Sequence, residues 1–550
     1  MSRSTRKRKM TRIPRERQID LFGGAAAAPK EALRHRSQEG RVFLNPDPHD
    51  IYLGNTPLKA HLREAGVHEP LVVRRLLEQQ DWSAFEARYA PTGRAPYAPS
   101  VMMGLVLYGI LQGVTSLRGL ESLARRDLGC MWVSGGICPD HANIGRFIAL
   151  HDDLIAGPFF EQLTRSVLHE TGSSGESLAG DGTVVEAACS HYGLLKAEAA
   201  RSQAEQAQRE AEASPEDARK QQRATQARQA QQTLEERAAQ RREQGKGHEQ
   251  LCVSASEPEA MVQPLKRGRG TAPSYKPSIL ANEIRVVVAQ GVHPSGEGAL
   301  LPDLVNQSTA VTGSVPGELL LDAGYFNDRV IDTALTHEIS LLCPESQQPG
   351  KAKESEKYYP KSQFHYDEQD DSYRCPAGAR LIPVSRYEGS ASSPGYTLYG
   401  TRACADCAQR DRCTRNRRGR QIKRYAGDTA KDALRQVMHQ PEAKRRFSQR
   451  QSMVEPVFSV LRGLQGLNRF RRRGLGRVRT EFALHVLAYN LSRVLALRLY
   501  LGLYEAVMMA RELMRLFGGG KTKNNRLLLP HDDEPLQAAS ATPLAVTRGL

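Results

Sequence analysis

The sequence predicts an α/β fold, a mixed sheet flanked by helices, preceded by an all-helical domain. Three stretches carry that expectation. "GELLLDAGYFND", residues 317–328, drives an apolar strand into an acid, and "RVIDTALTHE" and "ISLLCP" follow as a helix and a second strand, which makes a βαβ unit. "ILANEIRVVVAQGVHP", residues 279–294, carries strand signals. "VMMGLVLYGILQGVTSLRGLESLARRDLGCMWV", residues 101–133, repeats apolar residues at i, i+3, i+4 and i+7 around a Gly-Val-Thr-Ser interruption and predicts two or more packed helices.

The chain has 550 residues, too many for one simple core at about 100 to 200 residues per domain. Its formal net charge is +16 and its pI about 9.5. A basic chain points first to nucleic acid and only second to an anionic membrane surface. Mean hydropathy is −0.51, and no apolar run approaches the roughly 20 residues that span a bilayer. "MSRSTRKRKMTRIPRER" carries charge with no apolar segment behind it, so a cytoplasmic location is expected. Nine cysteines without a secretion signal favour reduced thiols over a disulfide framework.

Composition divides the chain further. Residues 1–45 read as a basic flexible arm and 46–175 as a helical, DNA-binding-like domain, in which Asp140 of "CPDHANIGRFIALH" is placed to cap a helix. Strand signals run through 176–345 and are interrupted at 192–250 by an Ala-, Glu-, Gln- and Arg-rich segment. That composition favours a pair of long exposed helices broken near Ser214-Pro215. A cysteine-containing insertion at 346–430, a further part of the core at 431–515 and a flexible tail at 516–550 complete the division. "GGGKTKNN" in the tail lacks the full phosphate-loop pattern and a preceding strand, so no ATP requirement is expected.

The chemistry is expected at acids. A carboxylate at the edge of a core is costly without a cation, so Asp322, directly after Leu319–Leu321, calls for one. "LAGDGTVVEAACS" presents Asp181 at a second strand end, with Gly182 able to turn the chain, although a single Asp there is also a common turn former. In "RQSMVEPVFSVLRGLQGLNRF", Glu455 precedes apolar residues at helical spacing and is expected near a helix start. A capping box from Ser452 to Glu455 is the plain alternative, and Pro456 counts against it. Carboxylates from two strand ends and one helix suit two Mg²⁺ ions about 3.5 to 4 Å apart.

At these residues the sequence resembles the DDE transposases of bacterial insertion sequences, specifically the group with an N-terminal helical domain and a DGT first motif. "FEARYAPTGRAPYAPSVMMGLVLYGILQGVTSLRGLESLARRDLGCMWVSGGICPDHANIGRF" is similar to that group's N-terminal domain, and "DGTVVEAACS", "LLLDAGYFND" and "VEPVFSVLRGLQGLNRFRRRGLGRVRTEFALHVLAYNL" resemble its three catalytic motifs in order. The resemblance implies an RNase H-like catalytic core in which Asp181, Asp322 and Glu455 bind two Mg²⁺ or Mn²⁺ ions. It implies cleavage of double-stranded DNA at the element's terminal inverted repeats, joining to target DNA, a homodimer on paired ends, no membrane partner and association with the nucleoid. Arg450 and Arg462 resemble positions that hold DNA phosphate. Arg462 stands where lysine is common, no tyrosine occupies the family's upstream position, and Trp82 and Trp132 lie outside the catalytic segments. A metal-dependent nuclease without joining and an inactive DNA-binding protein are the competing readings.

Two further clusters stand out. "RFRRRGLGRVR" places Arg469, Arg471, Arg472, Arg473, Arg477 and Arg479 just past the Glu455 segment, where phosphate contact competes with a merely solvated face. Cys375, Cys404, Cys407 and Cys413, in "RCPAGA" and "CADCAQRDRC", offer four thiolates for one structural Zn²⁺, with ordinary reduced thiols as the alternative. Cys130, Cys138, Cys189, Cys252 and Cys343 are expected to be packing residues.

Overall fold

A computed structural model describes residues 34–36, 40–243, 245, 247–265, 270–345, 358–390 and 393–517. Most of the basic arm, and the tail from residue 518 with its glycine-lysine string, lie outside the described residues. No helix among the described residues is long and apolar enough to cross a membrane.

The helical N-terminal part is organised by α1 (Pro99–Leu111), which is apolar on every side and buried from Val101 to Ile110. A helix without a polar face must be surrounded. Neighbours approach it at glycines: a Cβ on Gly109 would stand 2.0 Å from Leu120 Cδ2, and one on Gly104 would stand 2.5 Å from Val133 Cγ1. Leu120 belongs to α2 (Leu117–Arg126) and Val133 to the helix Leu128–Ser134. Asp140 caps α3 (His141–Leu150) as expected, accepting from the Asn143 N–H at 2.7 Å. The last helix of this part, α4 (Pro158–Thr171), leads into the sheet.

The central sheet has the order β3-β2-β1-β4-β5. The strands on this path are β1 (Ser177–Gly182), β2 (Thr271–Ala281), β3 (Val287–His293), β4 (Glu318–Leu321) and β5 (Ser340–Leu342), and two short strands, Val185–Glu186 and Met261–Pro264, also pair with β2. β2 runs antiparallel to both neighbours, while β1, β4 and β5 are parallel. The strand signals at 279–294 therefore belong to a hairpin, the end of β2 and the whole of β3. Asn282 makes the turn, its Oδ1 accepting from the Val286 N–H at 2.8 Å, a bond that Asn forms readily where the backbone reverses. The predicted βαβ unit is β4, α8 (Asp328–Thr336) and β5, following α7 (Leu301–Thr312) in the chain. Between β1 and β2 the chain forms the helical pair α5 (Ala197–Glu212) and α6 (Ala218–Glu243), which break around Ser214-Pro215 and pack on alanines such as Ala200 and Ala230.

A separate antiparallel sheet contains β6 (His365–Asp367), β7 (Ser372–Arg374), β8 (Arg380–Ser390), β9 (Ser393–Gly400) and β10 (Ile422–Tyr425). Its core is small: Phe364, Tyr373, Leu381, Tyr399 and Ile422. Three helices follow, α9 (Asp428–His439), α10 (Pro441–Gly463) and α11 (Leu475–Phe517).

Glu455 lies well inside α10 and not near a helix start. The apolar residues Met453, Val454, Val457, Phe458 and Leu461 give α10 its buried face, and helix continues back to Pro441, whose missing N–H costs nothing at the first turn. A Ser452 capping box is thereby excluded, and the Ser452 hydroxyl donates to Gln449 O at 2.8 Å. Pro456 leaves the Ser452 carbonyl without its helical donor. Arg285, in the turn of the β2–β3 hairpin, supplies one from Nε at 3.1 Å.

α11 is keyed to the sheet by Asn490, which is fully buried. Its Oδ1 accepts from the Val287 N–H at 2.9 Å and its Nδ2 donates to Val287 O at 2.8 Å, completing a backbone unit beside the irregular pairing of Ala281 with Val287. Asn490→Leu strands both groups, and it is expected to lower unfolding free energy by about 2 kcal/mol in a urea titration. An unchanged midpoint would show that the helix is held by packing alone.

Candidate active site

Register brings the two aspartates together. Across the parallel pair, Leu319 faces Leu178, Leu320 faces Ala179 and Leu321 faces Gly180, so Asp181 and Asp322 are the next residues on each strand. Neighbouring strands lie about 4.8 Å apart, which sets the acids side by side at their carboxyl ends. Ligand sites in open α/β sheets form at that edge. Gly180 permits the close packing here, since a Cβ would stand 2.4 Å from Leu321 Cδ2. Asp322 also fixes the chain after its strand, its Oδ1 accepting from the Gly324 N–H at 2.8 Å.

The cation that Asp322 requires comes from α10. Arg450 Nη2 lies 3.0 Å from Asp181 Oδ1 and 3.7 Å from Asp322 Oδ2, and Arg450 Nε donates to Gly180 O at 3.1 Å. One positive charge thus occupies the position both carboxylates share. Further along α10, Arg462 donates to Val184 O at 2.9 Å and to the Thr183 hydroxyl. Glu455 lies between these arginines and shares a helix face with Arg462, two turns away. It is exposed, and its Oε1 accepts from Gln451 Nε2 at 2.9 Å. The aspartate pair is assembled, whereas no group of three or more His, Cys, Asp or Glu among the described residues is drawn together closely enough to hold a metal.

A fourth carboxylate stands beside the pair. Glu297 packs against Gly182, where a Cβ would lie 2.5 Å from Glu297 Cδ, and its Oε1 is 3.5 Å from Lys276 Nζ. Burial raises its pKa; Lys276 opposes this, and the charges of Asp322 and Asp181 add to it. Sequence reading missed Glu297 because "VHPSGEGALLP" has the composition of a loop and nothing local to it signals the nearness of Asp181.

The arginines divide by what their guanidinium groups touch. Arg469 is committed to the protein, donating to the carbonyls of Ala187, Ala188 and Cys189 at 3.0, 2.9 and 2.7 Å. Arg471, Arg473, Arg477 and Arg479 are exposed, and Arg479 Nε reaches Val292 O at 3.3 Å. Arg472 is half-buried, and burial lowers its pKa. Their loop is anchored by Glu481, which accepts the Arg471 and Arg472 backbone N–H groups at 3.0 and 2.9 Å. Burial raises the Glu481 pKa, and those two donors oppose the shift. Between this loop and α1–α3 lies a cavity of about 600 Å³ whose lining includes Arg118, His141, Arg471, Arg472 and His485.

Cys375, Cys404, Cys407 and Cys413 line one small cavity of about 30 Å³ beneath the second sheet, although their sulfurs are not drawn to metal-ligand distances. Burial raises the Cys413 thiol pKa, with Arg420 opposing and the other three cysteines adding. Of the remaining cysteines, Cys130, Cys189 and Cys343 are buried and Cys252 is half-buried, but Cys138 is exposed and does not pack as expected, because it lies in the loop just before the α3 cap.

Acids in register at the ends of parallel strands, a helix bearing arginines beside them and a strongly basic chain define a nucleic-acid enzyme built on an α/β sheet. A family profile described as a transposase DDE domain matches residues 374–495, and one described as a transposase domain (DUF772) matches residues 63–150. No curated protein matches the chain. The protein is a DDE transposase of an insertion-sequence family, an enzyme of DNA transposition, and its DDE domain implies an RNase H-like fold. The first match contains Glu455 and the four clustered cysteines; Asp181 and Asp322 lie outside both matched segments.

Proposed function

We propose that Asp181, Asp322 and Glu455 are the catalytic carboxylates, that they hold two Mg²⁺ or Mn²⁺ ions, and that the site cleaves insertion-sequence ends and joins them to target DNA. The observation that carries this reading is the in-register aspartate pair with the Arg450 guanidinium reaching both carboxylates. A position already filled by a guanidinium charge suits a divalent ion bound by the same oxygens. When bound, the ions activate the attacking hydroxyl and neutralise charge on the scissile phosphate. The protein's own part is positioning. Asp181 and Asp322 fix the site at the strand ends, and Glu455 closes it from α10. Arg450, released from the aspartates, is placed to take a DNA phosphate beside them, and Arg462 braces the segment after Asp181. Two paired ends call for at least two copies of the chain, so a homodimer is the working form. The test is a labelled duplex carrying the element's end, incubated with Mg²⁺ and a second duplex. Cleavage with joining supports the transposase site as drawn; cleavage alone would identify a nuclease.

The exposed loop arginines are assigned to the DNA backbone. Neutralising Arg471, Arg473 and Arg477 together is expected to weaken binding to all sequences and to reduce the salt slope by about 0.9 for each phosphate no longer held. Arg469→Ala should leave the slope unchanged, because its guanidinium is held by three carbonyls. Equal slopes for the triple variant and the unmodified protein would remove the loop from the DNA interface. The four clustered cysteines are proposed to bind one structural Zn²⁺.

A further inference from the structure

We infer that Glu297 is a fourth acidic group of the metal site, held against Lys276 and facing the hydration shell of an ion bound by Asp181 and Asp322. The inference rests on the aspartate assignment above and goes beyond it in naming a residue from outside the three motifs. Three observations carry it. The Glu297 side chain covers the Cα of Gly182, the residue after Asp181, so closely that no side chain fits between them. Lys276, its ion-pair partner, is on β2, where Ser278 faces Gly182 in register, so the pair is built into the strand beside Asp181. Two buried hydroxyls lie close by, those of Tyr325 and Ser278. Tyr325, three residues after Asp322, is 1% exposed, and its phenol is close enough to Glu297, Asp181 and Asp322 to feel all three charges. Tyr325 Oη and Ser278 Oγ lie near each other, yet neither has a partner within hydrogen-bonding geometry.

Buried hydroxyls without partners are costly and are usually completed by ordered water. Such hydroxyls together with the Glu297 carboxylate, next to two acids assigned to the metal, are suited to order the waters of a hydrated Mg²⁺. That ion keeps several of its waters when bound, and such outer groups orient them. Lys276 keeps Glu297 compensated while the site is empty, as Arg450 does for the aspartates.

Direct Mn²⁺ titration by calorimetry of the full chain tests this without recourse to activity. Glu297→Gln keeps the shape and removes the charge, and it is expected to weaken Mn²⁺ binding about tenfold with an unchanged melting temperature in the absence of metal. Lys276→Met removes the competing cation and is expected to tighten binding several-fold. Asp181→Asn serves as the reference and should abolish the same binding event. If Asp181→Asn binds Mn²⁺ normally, the aspartate assignment itself fails. If Asp181→Asn loses binding while Glu297→Gln and Lys276→Met both match the unmodified protein within twofold, Glu297 has no role toward the metal and only this inference is overturned. Should Glu297→Gln fail to fold, the Lys276→Met result decides alone.

Discussion

Asp181→Asn, Asp322→Asn and Glu455→Gln are each expected to lower end cleavage and joining by at least about 10³-fold, equivalent to losing about 4 kcal/mol of transition-state stabilisation. The three substitutions preserve shape. Asn at 322 still offers an oxygen to the Gly324 N–H, so the chain after β4 keeps its path. What disappears is charge at the point where the proposed site would bring phosphate and ions together. Duplex binding should persist, because the exposed arginines of the loop after α10 are untouched. The effect at Asp181 has a second part. That carboxylate is the nearer partner of Arg450, at 3.0 Å against 3.7 Å for Asp322, so Asn there leaves a largely buried guanidinium less compensated. A melting curve for each variant separates this cost from lost chemistry. Cleavage at the unmodified rate by any folded variant would exclude that residue from the site. Glu455 is the most informative of the three, since it must approach the aspartates from an exposed position on α10.

Loss of the proposed zinc is expected to have the larger structural effect. The sheet of β6–β10 lies within residues 358–425, and among the described residues its core is Phe364, Tyr373, Leu381, Tyr399 and Ile422. A unit of under about 70–80 residues seldom gains more than about 3–5 kcal/mol from such a core, and small units of this kind are usually stapled. Four thiolates around one ion would supply the staple, with apparent binding energies on the order of 10 kcal/mol at neutral pH. The cavity lined by all four cysteines is where that ion would sit. Native mass spectrometry should therefore find one zinc per chain. A strong chelator, or Cys407→Ser, should open this segment to protease while the central sheet stays resistant. The burial that raises the Cys413 thiol means that protons compete with the ion, so zinc release should become easier as pH falls. A metal-free chain that keeps the segment protease-resistant would leave the cysteines as ordinary thiols.

Much of the candidate site could be proposed from the sequence because its signals are local. A leucine run ending in Asp322, a glycine after Asp181 and an apolar helical stripe around Glu455 are each set by neighbouring residues, and together with composition they also predicted the βαβ unit, the helical pair near Ser214-Pro215 and the Asp140 cap. Local signals misled in two places. At 279–294 the strand signal runs unbroken across a reversal made by Asn282, and at Glu455 the apolar residues that follow at helical spacing suggested a helix start, although α10 runs back to Pro441 and Arg285 relieves the missing bond of Pro456 from another element.

Tertiary structure decided the rest. That Asp181 and Asp322 are neighbours follows from strand register, which depends on packing the whole apolar face of β4 against β1. Arg450 as their shared cation, Glu297 beside Gly182, Asn490 on the Val287 peptide and Glu481 under the arginine loop are all pairings that the local sequence does not announce. The sequence by itself determined which residues carry charge and which elements hold them. Which charges meet was decided only by folding, because a carboxylate or amide near a core takes whichever partner the packed elements bring within reach.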